Sequence, residues 1–252
     1  MIEKIPAIGF VSAPAWFDPA PAEFPTVVEE KVRTQQAPLL IPDFDYRLAS
    51  IANVQNDLEH CARSLKAMGC DLVAQVGSPF AWAGTGAESE ARRRQDGMAR
   101  SAALPTHMTG LAIVDGLRAL GVNKIAVNCT YYDADWRDGF AAFLRRCAFD
   151  PVHVSTMQDQ GLVPSGAGVH AYGWSMTPEL TVRSMQAVAR AAPDAEAIVV
   201  TGAGTRTLEM LCALEAETNR AVIAADTILY WAIARTLNLT LKPVMGSLRQ
   251  LG

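Results

Sequence analysis

Four short segments combine the residue types that hold an anion: Ser12-Ala13-Pro14, Gly77-Ser78-Pro79, Cys129-Thr130-Tyr131-Tyr132 and Thr201-Gly202-Ala203-Gly204-Thr205. Glycine lets backbone amides approach a ligand closely, and Ser, Thr and Tyr hydroxyls add directed donors. Each segment follows a short apolar run, and ligands of open α/β sheets bind beyond the carboxyl ends of strands, where unpaired N–H groups favour negative charge. The chemistry expected of these loops is the binding of a small carboxylate. Ser12, Pro14, Pro79, Thr130, Thr201, Ala203 and Gly204 are the expected contacts.

Other reactive residues give weaker signals. Gly202-Ala203-Gly204 lacks the third glycine and the spaced acidic residue of a dinucleotide site, so no nucleotide cofactor is expected. His60, His107, His153 and His170 are scattered, with no HExxH, so no metal is expected either. His170 stands in a Gly-rich stretch beside Tyr172 and Trp174, a setting for pocket chemistry or for an ordinary surface histidine. His60 falls on the wet face of a helical pattern. Asp133/Asp135 and Glu88/Glu90 suit helix N-termini and exposed faces better than an acid/base pair. Cys129, at a strand end, is either a reactive thiol or a buried structural one, the second being the commoner case.

The elements that must carry these loops alternate in type. Apolar runs at 7–13, 71–77, 124–129, 197–202 and 221–225 read as buried parallel strands. Helical spacing joins Leu58, Cys61, Leu65 and Met68, then Leu111, Val114, Leu117 and Leu120, then Trp136, Phe140, Phe143 and Leu144. Helix starts are marked at Thr177-Pro178-Glu179 and at Asp226. The pattern is α/β. The proline-rich stretch 13–47 and the glycine-rich stretch 156–176 read as long loops, lids or pocket walls. The segments 73–79 and 198–204 repeat one arrangement, a buried strand running into a glycine turn, about 125 positions apart.

Bulk properties bound the function. A net charge of −4, with 22 basic and 26 acidic residues intermixed, leaves no stripe for nucleic acid. No secretory leader or membrane-length apolar run is seen, so a cytoplasmic location is expected. Five cysteines without CxxC pairs imply reduced, mostly buried thiols. The 252 residues suit one large α/β domain or two lobes.

The segments 72–82 (LVAQVGSPFAW), 104–122 with its GLRALGV, 125–133 (IAVNCTYYD) and 198–209 (IVVTGAGTRTLE) together resemble the aspartate/glutamate racemase superfamily, most closely its arylmalonate decarboxylase and maleate isomerase branch. The resemblance runs through nearly the whole chain in order. It implies two pseudo-symmetric α/β lobes, each a parallel sheet flanked by helices, with the active site in the cleft between them. The expected division is 1–112 plus 226–252 against 113–225. Racemases and maleate isomerases of this superfamily carry a cysteine at each of two turns, and arylmalonate decarboxylase keeps the second alone. In this chain Gly77 and Gly202 stand at the matching positions, so neither turn has a thiol. Ser78 matches a hydroxyl donor of the family's dioxyanion hole, Tyr131 its tyrosine, and Ala203 the backbone N–H after the second turn.

The resemblance implies a cofactor-independent lyase in which Ser78, Tyr131 and backbone amides stabilise an enediolate derived from a small dicarboxylate. Water, Cys129, His170 or Tyr172 would supply the proton. The alternatives are an isomerase or racemase of a small dicarboxylate, a non-catalytic carboxylate-binding protein, or a hydrolase using a bound water. The expected partner is a small-molecule carboxylate, with neither nucleic acid nor membrane, and a homo-oligomer remains open.

Overall fold

The protein is described by a computed structural model covering residues 4–14, 16–164 and 176–251. Its centre is a pair of four-stranded, wholly parallel sheets. The first has the order β2-β1-β3-β4, from β1 (Ala7–Ser12), β2 (Arg33–Pro38), β3 (Leu72–Gln75) and β4 (Thr106–Met108). The second has the order β6-β5-β7-β8, from β5 (Lys124–Asn128), β6 (Asp150–Ser155), β7 (Ala197–Val200) and β8 (Ala221–Ala224). Counted within each sheet, the two orders are identical. Gly77 after β3 and Gly202 after β7 are therefore equivalent positions, and their φ angles, 99° and 105°, agree closely.

Helices flank both sheets, as parallel crossovers require. They are α1 (Ala20–Val27), α2 (Leu48–Ala52), α3 (Gln55–Ala67), α4 (Pro79–Trp82), α5 (Glu88–Ala102), α6 (Thr109–Leu120), α7 (Ala134–Arg146), α8 (Pro178–Ala191), α9 (Leu211–Thr218) and α10 (Ala225–Leu237). β1, β3 and β7 are buried along their whole length, which explains their unbroken apolar runs. Residues 225–234 of α10 are all buried, so this stretch of the helix is covered on every side. Among the described residues no helix is long and apolar enough to cross a membrane.

Helix α6 links the sheets and sets the position of a key turn. A Cβ at Gly110 would lie 2.7 Å from the Ser78 carbonyl oxygen and 2.9 Å from Ala81 Cβ. Only a residue without a side chain lets the first turn of α6 press against the β3–α4 turn. The Thr109 hydroxyl adds a bond to the Gln75 carbonyl at 2.9 Å.

Several sequence expectations need correction. The stretch 13–47 is not one loop, because it contains α1 and β2. Pro21 sits in the first turn of α1, where an N–H has no helical partner, and β2 is an edge strand, where Pro38 is tolerated. Met68 lies just beyond α3 and is 48% exposed, so it is not part of that helix's buried face. Asp226 does mark the start of α10, standing in its first turn, but its side chain does not cap the helix. Its carboxylate instead accepts from the backbone N and the hydroxyl of Thr207, both at 2.7 Å. The expected division between 112 and 113 falls inside α6, an uninterrupted helix. Thr177 and Asp133 do cap α8 and α7, accepting from Leu180 N and Trp136 N.

Candidate active site

The turns after β3, β5 and β7 converge on three buried hydroxyls. Ser78 Oγ lies 2.7 Å from Thr201 Oγ1 and 2.9 Å from the Tyr132 hydroxyl, and the last two lie 2.9 Å from each other. Each member comes from a different turn, and the triangle spans both sheets. Burial pushes the Tyr132 phenol well above its ordinary pKa, so all three groups stay protonated and able to donate. Their mutual bonds hold them in place without a ligand.

Next to these hydroxyls is a small cavity of about 30 Å³, lined by Trp16, Tyr46, Phe80, Tyr131, Tyr132 and Trp136 together with Ala13, Gly77, Pro79 and Ala203. This volume accommodates about one water, so a substrate must displace the walls. Among the described lining residues there is no thiol, carboxyl or imidazole. A wider groove of about 680 Å³ lies between α6 and α10, but its lining includes none of the strand-end turns. Among the described residues no cluster of three His, Cys, Asp or Glu side chains could hold a metal ion.

Backbone geometry at the two turns is specific to glycine. At Gly77 a Cβ would meet the Phe80 ring at 3.1 Å, and at Gly202 it would meet Thr130 Oγ1 and Tyr131 Cε1, both at 2.8 Å. With φ near +100° at both, a side chain there is strained as well as crowded. An aromatic ring therefore covers each glycine.

The other expected site residues divide into lining and bracing groups. Gly77, Pro79, Tyr131 and Ala203 line the cavity. Of the two tyrosines it is Tyr132 that bonds to Ser78, while the Tyr131 oxygen accepts from Gly204 N at 3.1 Å. Ser12 is not among the lining residues, and its hydroxyl donates to the Trp16 carbonyl at 2.8 Å. The Pro14 carbonyl accepts from the Tyr46 hydroxyl. Thr130, held at φ 42°, donates from Oγ1 to the Thr201 carbonyl at 2.8 Å and ties two turns together. Cys129 is fully buried and is not among the lining residues, and burial pushes its thiol up. His170, Tyr172 and Trp174 lie outside the described residues.

Sequence reasoning missed Tyr132 as the partner of Ser78, and Trp16, Tyr46, Phe80 and Trp136 as walls. Burial pushes the Tyr46 phenol up to about 12. Its main-chain carbonyl accepts from Trp136 Nε1 at 3.1 Å, which joins the long N-terminal segment to α7. Behind the second turn, Arg206 contacts the Ala203 carbonyl, Glu23 and the Tyr230 hydroxyl, and lies 3.8 Å from Asp18 and 3.9 Å from Asp226. Asp18 also accepts from Trp16 Nε1 at 3.0 Å. The cluster thus connects two lining residues, Ala203 and Trp16.

Taken together, the fold and the site define a two-sheet α/β protein whose strand-end turns gather three buried hydroxyls beside one small aromatic cavity. The description of the arylmalonate decarboxylase family matches residues 8–248, and the chain belongs to that family. It is 27% identical over 190 residues to arylmalonate decarboxylase of Bordetella bronchiseptica, across 73% of this chain and 72% of that protein. Its fold is similar to that of unliganded arylmalonate decarboxylase, with a TM-score of 0.80 and 22% identity over 98% of this chain and all of the other. It is also similar to that of the maleate isomerase Iso from Pseudomonas putida S16, with a TM-score of 0.80 and 19% identity over 97% of this chain and 98% of the other.

Proposed function

We propose that the protein decarboxylates a malonate-type dicarboxylate without a cofactor, through an enediolate held by Ser78, Tyr132 and Thr201. The observation that carries this reading is the three-hydroxyl triangle, which meets an apolar, aromatic cavity at Tyr132. One carboxylate of the substrate takes the place of the hydroxyls' mutual bonds and accepts from all three. The second lies among aromatic walls, where loss of water favours its departure as neutral carbon dioxide. The electron pair left behind spreads onto the retained carboxylate, and donors fixed in advance stabilise the charge as it develops.

Family membership and the relatives' names support decarboxylation or isomerisation as the class of reaction. Decarboxylation is favoured because glycine at 77 and 202 can neither attack a double bond nor carry a proton, and no other nucleophilic thiol faces the cavity among the described residues. Those two positions are, in this reading, where cysteines stand in the relatives that use them. Incubation with phenylmalonate, maleate and aspartate in deuterium oxide, followed by proton NMR, separates the options. Phenylacetate deuterated at its α-carbon is the expected product. Fumarate from maleate, or exchange of the aspartate α-proton, would replace this function with isomerase or racemase chemistry.

A further inference from the structure

We propose that Tyr131 is the acid that protonates the carbon from which carbon dioxide has left, and that it does so from one face only. This rests on the decarboxylase reading above. Three phenols line the cavity, and two have other duties. Tyr46 donates its proton to the Pro14 carbonyl. Tyr132 belongs to the triangle with Ser78 and Thr201 and must remain a donor to the retained carboxylate. Tyr131 differs from both: its oxygen accepts from Gly204 N, and its own proton has no acceptor among the described residues.

Its position follows from Gly202. The Cβ that Gly202 lacks would lie 3.0 Å from Tyr131 Cζ, the carbon bearing the hydroxyl, so the phenol stands where a side chain at 202 would begin. An acid at the second-sheet turn faces the substrate across from the first-sheet turn that carries Ser78. Burial pushes the Tyr131 phenol well up, so it yields its proton to a strongly basic carbanion and not to bulk water. The Gly204 N–H bond lowers that barrier, because a donor to oxygen favours the phenolate.

The step balances. The bond from the central carbon to the departing carboxylate breaks, and its electron pair stays as the enediolate. A new C–H bond then forms as the Tyr131 O–H bond breaks. The phenolate regains its proton from solvent, so each turnover consumes one proton and releases one carbon dioxide.

A substrate with a quaternary central carbon, 2-methyl-2-phenylmalonate, reports the face of protonation as the handedness of 2-phenylpropionate. The wild-type protein should give one enantiomer. Tyr131→Phe keeps the ring over Gly202, so its melting temperature should stay near wild type. It should release carbon dioxide about a hundredfold more slowly and give racemic product, since water then protonates either face. Tyr132→Phe should also slow turnover but keep the handedness.

Retained handedness in Tyr131→Phe, racemic product from the wild type, or complete loss of carbon dioxide release in a folded Tyr131→Phe would each overturn Tyr131 as the acid. Absence of carbon dioxide release from the wild type with any malonate would instead overturn the decarboxylase reading on which the proposal stands.

Discussion

Removing the Ser78 hydroxyl tests the triangle, because its effects on rate and on stability should separate. Ser78 is fully buried and bonded to both Tyr132 and Thr201, which are also bonded to each other. In Ser78→Ala the remaining pair keeps one mutual bond, and one of its two hydroxyl protons loses its acceptor. The stability loss should then be that of one buried donor left unpaired, about 1–3 kcal/mol, or a fall of roughly 2–12 °C in Tm for a chain of this size. The rate should suffer much more. A preorganised donor to a developing oxyanion contributes about 2.7–4 kcal/mol, equivalent to roughly a hundredfold to a thousandfold in kcat. Carbon dioxide release from phenylmalonate measured beside thermal melting gives both quantities. Because the hydroxyls share partners, adding Tyr132→Phe should cost less than the product of the single effects. A folded Ser78→Ala with normal turnover would remove the anion clamp from the account.

Three further outcomes follow from the geometry. Gly202→Ala should lower Tm, since strain at such a φ costs about 1–3 kcal/mol and the new methyl meets Tyr131 and Thr130 at 2.8 Å; an unchanged Tm would show that the turn is looser than described. Iodoacetamide should modify Cys212, the one exposed cysteine, and leave turnover largely intact, whereas inactivation prevented by substrate would restore thiol chemistry. Glu88 is held at about 2, chiefly by Arg118 and then by Arg92. A carboxyl lowered by folding stabilises fully above its unfolded pKa of 4.5, and this contribution is lost as pH falls towards 2. Glu88→Gln should therefore flatten the acid limb of Tm against pH over that window, and an unchanged slope would contradict the pairing.

Burial decided which elements were legible in the sequence. β1, β3, β5, β7 and β8 appear as apolar runs because their faces are largely covered. β2 (RTQQAP) and β6 (DPVHVS) are edge strands with half-wet faces and a proline each, and β4 has three residues, so none shows an apolar run. α1 was hidden by its own prolines.

The site was legible as loops but not as contacts. Small residues at strand ends identified the turns bearing Ser78, Tyr131 and Thr201. Nothing local tells which of two consecutive tyrosines reaches Ser78, because that depends on how the sheets pack. Tyr46 and Trp136 enter from segments remote in sequence from the turns, and their convergence is a tertiary fact. Ser12, Pro14 and Thr130 belong to the right loops, yet their bonds go to neighbouring backbone or to another turn.

The central claim is that closed hydroxyl donors and an apolar cavity suffice to remove carbon dioxide from a malonate. Its most direct measurement is carbon dioxide release from phenylmalonate labelled with carbon-13 at both carboxyls, followed by NMR with metal-free, cofactor-free protein. The account predicts labelled carbon dioxide and singly labelled phenylacetate in equal amounts, with release abolished by boiling and sharply reduced in Ser78→Ala. Unchanged phenylmalonate after prolonged incubation with folded protein, beside conversion of maleate to fumarate, would contradict it.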